Sequence, residues 1–95
     1  MKIFKYAIPS PDHGYAFAHQ IPWGAKFLKA EVQGDTAQMW FMVDPNNAPE
    51  TRHFMTFGTG HEFNPDQKDY LTTFQAPPYV WHLFEYKMAQ TEQQA

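Results

Sequence analysis

The side chains best suited to hold a ligand gather in one short stretch, Gly58-Thr59-Gly60-His61. Two glycines let backbone N–H groups approach an anion closely, and Thr59 and His61 add donors, so the natural guest is a phosphate or a carboxylate. Arg52, whose guanidinium can grip an oxyanion at two points, lies six residues upstream and completes a candidate ligand-binding set of Arg52, Gly58, Thr59, Gly60 and His61. The stretch is not a P-loop: the four-residue spacing and the following Lys-Ser/Thr are missing, and His61-Glu62-Phe63-Asn64-Pro65 opens no helix. The plainer reading of the same residues is a glycine-bearing bulge or turn leaving a strand, with Arg52 in a salt bridge to Glu50 or Asp44.

Other chemistry is poorly supplied. The five histidines, His13, His19, His53, His61 and His82, show neither His-x-His nor His-Glu-x-x-His spacing, and there is no cysteine. His53, His61 and His82 could converge across neighbouring strands, but hydrogen-bonded structural roles are the expectation, and no metal or cofactor is predicted. His61 or His82 with Glu85 or Asp44 would serve general acid-base chemistry only if the fold brought them within reach. Ser10 is the only serine and stands in no nucleophile elbow, so an enzyme ranks below a binding protein. Among the three tryptophans, Trp40 is expected in the core. Trp23, in the Ile21-Pro22-Trp23-Gly24 loop, is expected to be partly exposed and is the candidate contact for a partner, either another protein or a second copy.

These residues must be positioned by strands. Eight Pro and five Gly divide 95 residues into pieces too short for well-formed helices. Two-residue alternation marks Lys2–Ile8, Tyr15–Ile21 (an edge strand) and Leu28–Gln33. The Gly34-Asp35 turn then pairs Glu31–Gln33 with Thr36–Gln38, and Met39–Val43, apolar on both faces, reads as a central strand. Thr51–Phe57, Tyr70–Gln75 and Tyr79–Tyr86 follow, the last two separated by Pro77-Pro78. Six to seven short strands at spacings near ten residues describe an all-β fold, a small antiparallel sandwich or partly closed barrel. The expected organisation is one β domain over residues 1–88 and a polar, Gln-rich tail over 89–95 that frays or forms a single helical turn.

Composition narrows the function classes. With 43% hydrophobic and 18% aromatic residues the chain can build one packed core, and at 95 residues only one. Seven Lys/Arg against ten Asp/Glu give a formal charge of -3, which disfavours generic nucleic-acid binding. No apolar run approaches the roughly 20 residues that span a bilayer, and the absence of cysteine suits a reducing compartment, so a cytoplasmic, non-membrane location is expected.

The segments Ile21-Pro22-Trp23-Gly24-Ala25, Val43-Asp44-Pro45, Glu50-Thr51-Arg52, Phe57-Gly58-Thr59-Gly60-His61, Thr73-Phe74-Gln75 and Trp81-His82-Leu83-Phe84-Glu85 carry a resemblance. Across nearly its whole length the chain resembles a family of short, uncharacterised bacteriophage and prophage proteins. Its Phe-Gly-Thr-Gly-His motif and C-terminal Trp-His-Leu-Phe-Glu strand are the specific features. The segment His13–His19 departs from similar chains, where it is shorter and more polar. The resemblance implies an accessory protein acting in an infected bacterium's cytoplasm by binding a host protein or by self-association. Binding or sequestering a small nucleotide- or anion-type ligand is the alternative.

Overall fold

Seven stretches read as extended in the sequence, most of them by two-residue alternation, and in the computed structural model, which describes residues 1–10 and 15–87, each is a strand. They are β1 (Lys2–Ile8), β2 (Ala16–Pro22), β3 (Lys26–Gln33), β4 (Thr36–Val43), β5 (Pro49–Gly58), β6 (Lys68–Ala76) and β7 (Tyr79–Tyr86). Among the described residues there is no helix, and so none long and apolar enough to cross a membrane. The expected tail over 89–95 lies outside the described residues.

Two antiparallel sheets form, β1-β4-β3 and β2-β5-β7-β6, and neither closes on itself. The architecture is therefore a sandwich rather than a barrel. The core sits between the sheets, where Phe41 of β4 meets Phe54 of β5 with ring centroids 6.0 Å apart. Phe41, Phe54, Met39, Val43, Ile21 and Leu83 are fully buried, and they come from four different strands. This is what alternation requires when each sheet turns one face inward.

The hairpin expected at Gly34-Asp35 is present with the expected register: Gln33 faces Thr36, Val32 faces Ala37 and Glu31 faces Gln38. Gly34 has φ +64°, the left-handed backbone that a type II′ turn demands at its first central position. β4 is the central strand of its sheet, and β2 lies at an edge. Trp40 departs from expectation. The residues of β4 that alternate inward are Met39, Phe41 and Val43, so Trp40 falls on the outer face and is only half-buried. A strand apolar on both faces resembles one covered on both sides, and here only one side is covered.

Each sheet has one irregular edge. β3 is bulged between Phe27 and Lys29, and β6 between Tyr70 and Thr72. Such bulges twist an edge away from intermolecular pairing. On the other side of the sandwich, His19 of β2 reaches across to the carbonyl of Ala7 on β1, with Nε2 2.7 Å from the oxygen, and stacks obliquely near Tyr6.

Candidate functional site

β5 ends at Gly58, and the chain reverses at once. The His61 N–H donates to the Gly58 carbonyl at 3.1 Å, and Gly60, third of the four residues, has φ +89°, which makes this a type II turn. The His61 ring folds back so that Nδ1 accepts the Gly58 N–H at 3.1 Å. A Cβ at position 58 would meet that ring at 3.0 Å, so Gly58 is needed for close approach and Gly60 for its backbone angle. Thr59 Oγ1 lies 2.9 Å from His82 Nε2, His82 Nδ1 lies 2.9 Å from Thr73 Oγ1, and Thr73 Oγ1 lies 2.7 Å from the Tyr70 hydroxyl. The Gly58 amide and the Thr59 and His61 side chains, which could have cradled an anion, are thus engaged within the chain.

Arg52 does not join them. It lies six residues before Gly58 on the same strand, roughly 20 Å away at about 3.3 Å per residue. Its partner is neither Glu50 nor Asp44 but Glu85. Arg52 Nε and Nη2 donate to the two Glu85 carboxylate oxygens at 2.6 and 2.7 Å, and Nη1 donates to the Ala25 carbonyl at 2.7 Å. The guanidinium also lies 5.1 Å from the Phe41 ring centroid. The hydrogen bond to Glu85, above all, holds the Arg52 pKa above its usual value, while burial acts in the opposite direction. β5 and β7 pair Phe54 with Glu85, so Arg52 meets Glu85 on the diagonal of one inward face. Nothing in the sequence separation of 33 residues reveals that meeting.

The acid-base pairs suggested by residue type do not assemble. His82 and Glu85 are three apart on β7 and face opposite sides of the sheet, and Asp44 Oδ1 accepts the Asn46 N–H at 3.0 Å. His53 packs near Tyr86, with ring centroids 5.5 Å apart, and His13 lies outside the described residues. Among the described residues no three His, Asp or Glu side chains gather to hold a metal ion.

Clefts open from the sandwich among the described residues, two of which bear on these side chains. One, of about 530 Å³, lies at the end carrying the β3–β4 and β6–β7 turns and is lined by Ile8, Thr56, Phe74 and Trp81 among others. The Trp81 ring centroid lies 6.3 Å from that of Tyr15 and 6.1 Å from that of His61, an aromatic group that residue order alone does not show. The other, of about 620 Å³, lies over Arg52 and Glu85 and carries Glu50, Asp69 and Lys87 at its walls.

Trp23 stands at the β2–β3 connection with 57% of its surface exposed, as its loop position implies. Its N–H donates to the Ala48 carbonyl at 2.9 Å, and Asn47 Nδ2 donates to its carbonyl at 3.0 Å. Gly24, with φ +80°, turns the chain immediately afterwards. The exposed indole therefore rises from a backbone fastened on both sides to the β4–β5 loop.

A family model described as a domain of unknown function, DUF7352, matches residues 1–94. No curated protein and no solved structure matches the chain.

Proposed function

We propose, from the premise that the chain belongs to the DUF7352 family, that it is a phage-type accessory domain that acts by binding, with Trp23 as its anchor on a host protein or on a second copy. The observation that carries this reading is the exposed, fastened Trp23 loop. An apolar side chain of this size is costly to leave in water, and a backbone already held in place loses little entropy on association. Tryptophan is also the residue type most enriched among interface hot spots. The setting that fits is the cytoplasm of an infected bacterium. The alternative, capture of a small anion by Arg52 and the Gly58–His61 turn, would require Gly58, Thr59 and Arg52 to give up internal partners at two separate places.

The test compares the wild-type chain with Trp23→Ala in sedimentation of the purified protein and in capture from a bacterial lysate. Truncating a hot-spot tryptophan costs about 2 kcal/mol or more, a loss of roughly 30-fold in affinity. The expected result is a dimer or a captured partner lost in Trp23→Ala at unchanged melting temperature. Equal association by both proteins would refute the role of Trp23.

A further inference from the structure

The outer face of the three-stranded sheet is organised in rungs set by strand register. Ile3, Met42 and Lys26 lie across from one another, and the next rung holds Lys5, Trp40 and Lys29. Ile3 is 63% exposed, and Trp40 and Met42 are half-buried with no second layer over them. Trp40 and Met42 thus run down the centre, with Ile3 and Lys5 on one edge strand and Lys26 and Lys29 on the other.

Charge is segregated to match. This face carries Lys5, Lys26 and Lys29 against Glu31 alone, a formal +2. Because the whole chain is at -3, everything else carries -5. Of the lysines on this face, Lys29 alone has an ion-pair partner among the described residues, Glu31 at 2.7 Å.

We infer that this face takes an acidic, apolar segment of a partner protein, laid across Trp40 and Met42 with its carboxylates on Lys5, Lys26 and Lys29. The inference rests on the reading of the chain as a binding domain and names the chemistry of its partner. Lys26 follows Trp23 by three residues, so the lysine-rimmed face begins where the exposed loop ends. A long polyanion fits less well, since three lysines offer few phosphate contacts and the remaining -5 repels a strand that leaves the face. A short segment needs only local charge, with apolar contacts supplying the rest.

The experiment titrates the full chain with a fluorescent peptide alternating Glu and Leu, with its Gln-for-Glu counterpart, and with an oligo-dT of similar charge. The expected result is that the acidic peptide binds at least tenfold more tightly than its neutral counterpart and weakens as salt rises. Trp40→Ala, Lys26→Glu and Lys29→Glu should each weaken it about tenfold. The two lysine variants are exposed changes that keep the melting temperature, so a folding defect in Trp40→Ala would not decide the matter. Tight binding of the acidic peptide that both lysine variants retain overturns the inference. So does preferential binding of oligo-dT, in favour of nucleic acid. If the peptide does not bind while Trp23-dependent association persists, the acidic-segment inference fails and the binding reading stands.

Discussion

Glu85→Leu tests the internal organisation of the protein most sharply. The Arg52 and Glu85 side chains retain only 16% and 20% of their surface, so the pair lies largely out of water. Removing the carboxylate deletes two charge-assisted hydrogen bonds, Nε to Oε2 and Nη2 to Oε1, and leaves a guanidinium between Phe41 and the Ala25 carbonyl. Breaking a buried pair from one side costs about 3–5 kcal/mol. Arg52 keeps its bond to Ala25 and gains water through the adjoining cleft, so the lower end, about 3 kcal/mol, is expected. For a domain of this size that lowers Tm by roughly 10–20 °C. In Arg52→Met/Glu85→Leu no charge remains to be desolvated, and the loss relative to wild type should fall to about 1 kcal/mol. Urea unfolding followed by tryptophan fluorescence measures all four members of the cycle. A Glu85→Leu cost below about 0.5 kcal/mol, or a double variant as damaged as the two single losses combined, would refute the claim that the pair is held as a buried unit.

Phe41→Ala removes the ring at the meeting point of the two sheets and should cost about 3–5 kcal/mol, read as a shift in the urea midpoint. Gly60→Ala meets no atom within 4 Å, so its cost, about 1 kcal/mol, comes only from φ +89°. Gly58→Ala must instead displace the His61 ring, and the His61 imidazole resonances in an NMR spectrum should shift in Gly58→Ala but stay in place in Gly60→Ala. Burial raises the Tyr6 pKa above its ordinary 10.0. The folded chain therefore holds this proton where the unfolded chain releases it, and stability declines as pH rises from about 10 through the folded-state value. In Tyr6→Phe, melting measured between pH 9 and 11 should show a shallower decline.

Strand positions were legible in the sequence because alternation at a period of two is a local property. Lys2–Ile8 and Tyr79–Tyr86 coincide with β1 and β7, and Gly34-Asp35 announced its hairpin because a two-residue turn leaves only one register. The exposure of Trp23 was legible for a similar reason, since Pro22 ends a strand and Gly24 turns the chain, which leaves the residue between them in a connection. Which apolar face would be covered was not a local matter. Trp40 and Met39 are both large and apolar, and only the packing of the four-stranded sheet beneath β4 decided that Met39 is buried and Trp40 faces outward. The same non-local pairing gave Arg52 to Glu85 and drew the Gly58–His61 turn into bonds with itself and with His82. Residue types specified what these groups could bond to. Only strand order and register, which depend on contacts distant in the chain, specified what they do bond to.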